Sequence, residues 1–239
     1  MGTTLARTPF LQAHWSHLCI LSYAVDPEVL KPDVPKGLQL DTRDGKAFIS
    51  LVAFDFDDTL VKGIGVPGCR AFPEINLRFY VRRGTDRGVC FISELVPNRI
   101  VAWVAKQVYN EPYRRFPMTS HIKRLSDGME VIHDINVDGH KYRIEVAATN
   151  EPPLLPESSS DAHWFKEQQF GFGRDKNGQT VMYEVKHPTW LTYHVTWHQL
   201  HFNFARVYGE RWGFLSKIKP CSVVLAEGSN VEVYPMHAA

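Results

Sequence analysis

The chain has 239 residues, 44% of them apolar and 22% charged, and its 27 Lys and Arg against 26 Asp and Glu leave a formal net charge of +1. At about 150 residues per domain this length allows one or two domains, and the composition excludes a disordered tail, a collagen-like fibre and a coiled coil. With no basic excess to neutralise phosphates, no nucleic-acid partner is expected.

Taken in chain order, the elements are punctuated by Asp44-Gly45, Asp127-Gly128, Asp138-Gly139 and Asn177-Gly178. Each pair tolerates positive φ, which tight hairpins require. Residues 38–41 are expected to pair with 46–56 across the first turn. Asn98 caps a predicted helix over 99–108, which ends near Asn110 and Pro112. Strand 121–125 pairs with 129–135, and that strand pairs onward with 140–146. Residues 151–160 (EPPLLPESSS) read as a long surface loop inside one domain spanning 1–239, because too few strands follow to build a second core. A second helix covers 161–168, with Gly171 beyond it; strands follow at 180–186 and from 189, and a third helix at 201–212. Hairpins join antiparallel strands, so the fold class is α+β with a mainly antiparallel sheet and a few flanking helices.

Cys19, Cys69, Cys90 and Cys221 are widely spaced with no CxxC pair, which fits a reduced, cytoplasmic protein without a disulfide framework or zinc ribbon. No secretory signal is visible before His14, and the apolar runs 18–23 and 48–56 fall far short of the ~20 residues of a membrane span, so no membrane partner is expected.

Three constellations could carry chemistry. The first, Phe54-Asp55-Phe56-Asp57-Asp58-Thr59, follows an apolar run and resembles the first motif of haloacid-dehalogenase-like phosphatases. In that reading Asp55 is the nucleophile, Asp57 the acid/base, and both share a magnesium ion. The glycine-rich continuation 61–68 argues for an acidic turn at a strand end instead. The second is His194, His198 and His201, whose spacing suits a metal on a helix. Their segment is rich in β-branched and aromatic residues, reads as a strand, and leaves no metal site. The third is Phe72-Pro73-Glu74-Ile75-Asn76-Leu77-Arg78-Phe79-Tyr80-Val81. Ile75, Leu77, Phe79 and Val81 share one face; Glu74, Asn76, Arg78 and Tyr80 share the other. The polar column is either an ordinary solvated face or the acid/base and anion-binding wall of a cavity.

This last strand resembles a signature of the YqjF-like uncharacterised family, grouped with the acetoacetate decarboxylase superfamily. Val34-Pro35-Lys36-Gly37-Leu38, Glu111-Pro112-Tyr113-Arg114, Lys186-His187-Pro188-Thr189-Trp190 and a closing pair of strands over 223–235 resemble further elements of it in the right order. The resemblance implies a β-cone or barrel with a central cavity. It also places Tyr113 where the decarboxylases have their imine-forming lysine, and Arg114 where its lysine neighbour would be. Neither side chain forms an imine, and Lys106 lies two to three turns back on the predicted helix. The expectation is therefore a small anionic metabolite, a carboxylate or oxo acid, bound without a Schiff-base lysine and without a cofactor. Asn76, Arg78, Tyr80 and Arg114 would bind it, with Glu74 as acid/base and Tyr113 as proton donor. Lyase or hydratase chemistry and binding without turnover stay open. So do the magnesium-dependent phosphatase on Asp55 and Asp57, and a non-enzymatic interaction module. The sheet edges of a cone leave room for a homodimer.

Overall fold

The computed structural model describes residues 7–102 and 112–239. The long strands come early: β1 (Leu11–Val25), the short β2 (Gln39–Leu40), β3 (Ala47–Val61), β4 (Phe72–Arg83) and β5 (Asp86–Val96). There follow β6 (Tyr113–Arg115), β7 (Met118–Arg124), β8 (Gly128–Val137), β9 (His140–Thr149), β10 (Phe170–Arg174) and β11 (Thr180–Lys186). The chain ends with β12 (Thr192–Tyr193), β13 (Val195–His201), β14 (Ser222–Val233) and β15 (His237–Ala238).

Two sheets result. The larger runs β14-β1-β3-β4-β5-β10-β11, and β11 pairs back onto β14 through Val185 with Val233 and Lys186 with Glu232, which closes a ring of strands. The smaller runs β13-β9-β8-β7. Pairing is mainly antiparallel; β5 takes β6 and β10 in parallel over short stretches.

Strict alternation on the ring strands separates two cores. Ile75, Leu77, Phe79 and Val81 point out of the ring and pack with Val131, Ile135 and Val146 of the smaller sheet. Phe72 and Tyr80 point inward with Phe54, Phe56 and Trp190. β3 and β4 are thus buried on both faces, which explains the near-continuous apolar run of β3.

Several sequence expectations are corrected. β2 pairs with β4, Gln39 opposite Arg82 and Leu40 opposite Val81, and not with 46–56. The reason is topological: β3 has two edges, and β1 and β4 take them. Asp44 and Gly45 do take positive φ, 51° and 72°, in a turn closed by Arg43 and Lys46. The second helix is Asp161–Lys166, capped by the Ser160 side chain and released at Glu167, whose φ of −90° and ψ of 79° leave the helical region. In place of a third helix over 201–212, His201 ends β13, and a short helix Phe204–Tyr208 gives way at Gly209, φ 105°, to a 3-10 segment Glu210–Lys217. The closing segment is one long strand, β14, held along β1 from Ser222 to Val233. Residues 99–102 are helical, and the Asn98 side chain accepts from the Ile100 amide at 2.8 Å. The remainder of that predicted helix, with Lys106, lies outside the described residues. Among the described residues no helix is long and apolar enough to cross a membrane.

Candidate functional site

The inward face of β4 opens onto a cavity of about 160 Å³ inside the ring. Glu74, Asn76 and Arg78 line it because a strand delivers every second side chain to the same face. Glu74 is only 3% exposed. Asn76 Nδ2 donates to Glu74 Oε1 at 3.0 Å, and the Tyr113 hydroxyl donates to Glu74 Oε2 at 3.1 Å. Burial pushes the Glu74 carboxyl up to about 7, against the hydrogen bonds from Asn76 and Tyr113 and the charge of Arg78. The same enclosure drives the Tyr113 hydroxyl well above its ordinary range, helped by the charges of Glu74 and Glu94.

β6 explains how Tyr113 arrives there. It pairs in parallel with β5 and sets Tyr113 opposite Glu94 and Arg114 opposite Leu95. Successive residues of a strand point to opposite faces, so Tyr113 enters the cavity and Arg114 leaves it. Arg114 Nη1 instead donates to the Val207 carbonyl at 2.5 Å, and its guanidinium lies 4.9 Å over the Phe116 ring. Tyr80 shares the inward face of β4 but does not line the cavity. Its ring packs on Trp164 and Phe165, and its hydroxyl lies 2.6 Å from Ser50 Oγ.

The Asp161–Lys166 helix adds groups that the sequence did not single out. Lys166 is 1% exposed, lines the cavity and pairs with Glu167. Arg78 Nη2 donates to the Phe165 carbonyl at 3.2 Å, which brings this helix against the β4 column. Gln168, on the turn after the helix, and Glu94 of β5 line the same space. Only Glu94 had a legible signal, a charge inside the apolar run Phe91-Ile92-Ser93-Glu94-Leu95-Val96. Five buried atoms on lining residues meet no partner among the described residues: Trp15 Nε1, Thr59 Oγ1, Asn76 Oδ1, Arg78 Nε and Gln168 Oε1. Groups buried in this way normally have a partner, so these mark where a polar ligand group or water belongs.

The rest of the wall is apolar and largely aromatic, with Trp15, Phe54, Phe56, Phe72 and Trp190 around the space. The His187 ring stacks on Trp190 at 4.0 Å, and Trp190 Nε1 donates to Ser229 Oγ at 2.8 Å. Val66 and Ile100, both exposed, line the mouth.

Asp55 and Asp57 sit elsewhere. Phe54 and Phe56 turn inward on β3, so the two aspartates face away from the cavity. Asp55 accepts from Ser120 of β7 at 2.5 Å, and Asp57 accepts from Ser16 of β1 at 3.1 Å. β3 runs antiparallel to both neighbours here, whereas the phosphatase motif belongs at the end of a parallel strand. Asp55 thus ties the ring to the smaller sheet, while Asp57 links two strands of the ring. His194, His198 and His201 lie exposed at and along β13, with the His201 ring 6.0 Å from Tyr142.

Comparisons with known proteins agree with this architecture. The sequence profile of DUF2071, an uncharacterized conserved protein family, matches residues 12–230. The uncharacterized protein YqjF of Bacillus subtilis (strain 168) is 28% identical over 179 residues, covering 74% of this chain and 72% of YqjF. Among solved structures, an acetoacetate decarboxylase-like enzyme from Sphingomonas wittichii RW1 superposes with a TM-score of 0.64 at 14% identity, covering 100% of both chains. The acetoacetate decarboxylase of Legionella pneumophila gives 0.61 at 13% identity over 98% of this chain and 88% of that one. The enduracididine biosynthesis enzyme MppR, solved in complex with pyruvate, gives 0.62 at 13% identity over 97% and 90%. At such identities the likeness carries the fold: this is an acetoacetate-decarboxylase-like arrangement of mainly antiparallel strands with few helices.

Proposed function

The chain belongs to the DUF2071 family of uncharacterized conserved proteins, and for it we propose the binding of a small carboxylate or oxo acid inside the ring, with Glu74 as its acid/base group. One observation carries this reading: a buried carboxyl with its proton affinity raised to about 7 shares the cavity inside the ring with Arg78 and Tyr113. An acid tuned near neutrality can both give and take a proton under working conditions. Arg78 supplies the anion-binding charge, and its Nε meets no protein partner among the described residues. A charge-assisted contact from a guanidinium to a carboxylate is stronger than a neutral hydrogen bond. Asn76 would orient the ligand through its unmet Oδ1, and Tyr113 would hand a proton to or from Glu74 across their shared hydrogen bond. Tyr80 and Arg114 act from behind: Tyr80 shares the Phe165 carbonyl with Arg78, and Arg114 braces β6 against the Phe204–Tyr208 helix. Lyase or hydratase chemistry, in which a proton leaves the carbon beside a carbonyl, fits this set of groups. A cavity with unmet polar atoms also favours a small-molecule site over an interaction module with a filled interior.

The test is calorimetric titration with a panel of 2-oxo acids from pyruvate upward in size. At least one member binds, and Arg78→Ala weakens it by about tenfold or more. No binding anywhere in the panel, or an unchanged affinity in the variant, overturns the proposal. Because ionised Glu74 repels an anion, affinity also falls as pH rises through about 7.

A further inference from the structure

The polar groups occupy only part of the wall, and the remainder is unusual in kind. Trp15, Phe54, Phe56, Phe72, His187 and Trp190 all line the cavity. Their rings touch in sequence: Trp15 to Phe54 at 5.1 Å, Phe54 to Phe56 at 5.1 Å, Phe56 to Phe72 at 4.7 Å and Trp15 to Trp190 at 6.1 Å. Trp190 is fixed on both sides, by the stacked His187 ring and by its hydrogen bond to Ser229. Rings that served only as core filling would close on one another, since interiors pack with few voids larger than a water. These instead surround about 160 Å³ of space. A dry cavity of about 150 Å³ takes up benzene.

Resting on the carboxylate reading above, we propose that the occupant is an aryl-substituted acid: a single six-membered aromatic ring held in the aromatic box, with its carboxylate or 2-oxo acid head at Arg78 and Asn76. The volume suits one ring with a short acid side chain. Chemistry favours a ring over an aliphatic tail of similar bulk. Offset and edge-to-face contacts add stabilisation beyond the area they bury, and a ring loses little rotational freedom when held.

Four probes separate this inference from the reading beneath it: phenylpyruvate, 4-methyl-2-oxopentanoate, pyruvate and phenylacetone, each titrated into the full chain. Phenylpyruvate is expected to bind about tenfold more tightly than 4-methyl-2-oxopentanoate, more tightly still than pyruvate, and well above phenylacetone. Trp15→Leu is expected to erase the preference between the first two. Phe72→Leu repeats the test if the tryptophan variant fails to fold. Equal affinity for phenylpyruvate and 4-methyl-2-oxopentanoate overturns the aromatic inference and leaves the acid reading standing. Phenylacetone binding as tightly as phenylpyruvate overturns the acid reading and leaves the ring. No binding of any probe overturns both.

Discussion

Glu74 ties the site to the stability of the molecule. In the unfolded chain its carboxyl ionises near 4.5, while in the fold burial holds its proton up to about 7. The folded state therefore binds more protons between these values. The stability this residue contributes is complete below about 4.5 and is lost as pH rises through about 7. Glu74→Gln keeps the shape and removes the titration. Urea unfolding is expected to show wild type weakening over that window, with the variant ahead by about 3 kcal/mol at pH 8. Parallel pH profiles for the two proteins would refute the buried-acid account. His133 works in the other direction. It is fully buried on the outward side of the ring, and neither ring nitrogen meets a partner among the described residues. Burial, with the charge of His17 added, pushes its imidazole down to about 3, so what it contributes is lost as pH falls from about 6.5 toward that value.

At the scale of elements, one irregularity in β1 shapes the aromatic box. The register between β1 and β3 slips between Ser16 and Cys19, and His17 takes a φ of 52°. Opposite this bulge, Gly228 of β14 has a φ of 91°, and a Cβ there would lie 1.9 Å from the Trp15 carbonyl oxygen. Gly228→Ala must therefore both strain its own backbone and push the Trp15 segment away. A loss of about 3 kcal/mol is expected in thermal or chemical unfolding, and a neutral substitution would mean that β14 can move freely here. The same scale shows what a sequence can and cannot say. The β4 column was legible because period-two alternation survives any context, and the turns at Asp44-Gly45 and Asp138-Gly139 were legible because few residues accept the positive φ found there, whereas Asp127 and Gly128 turn the chain without it. Whether the column met water or a cavity was not, since that depends on ring closure between β11 and β14, more than 40 residues apart in the chain. Lys166 shows the limit most clearly: on a short capped helix it looks like any solvated lysine, and only the docking of that helix against β4 buries it. For Arg114 the alternation rule was available, but the strand was too short to be recognised as one.

For the whole molecule, the ring is closed by unequal seams. β1 runs beside β14 from Leu11 to Ser22, whereas β11 meets β14 only at Val185 and Lys186, extended by the Tyr234 amide donating to the Glu184 carbonyl at 2.9 Å. Regions with few buried contacts open first. Hydrogen exchange is expected to release the Tyr234 amide, which donates across this seam, well before the amides of β3 and β4, which are covered on both faces. Equal protection across seam and core would show that the ring opens only by global unfolding.

Ring closure also bears on how copies of this chain behave when crowded. A strand edge with unpaired amides is a template for a neighbouring chain, and pairing the long strands side by side around a ring removes that template from most of the larger sheet. Among the described residues, the long edges left are β7 and β13 of the smaller sheet. β7 ends in Lys123 and Arg124, both exposed, and like charges on an edge discourage a second copy from adding on. β13 lacks that guard: it presents Trp197, 45% exposed, between Thr196 and His198. The hazard of sticking, and the room for insoluble mutants to arise, is therefore concentrated on one strand far in sequence from the cavity-lining residues of β4.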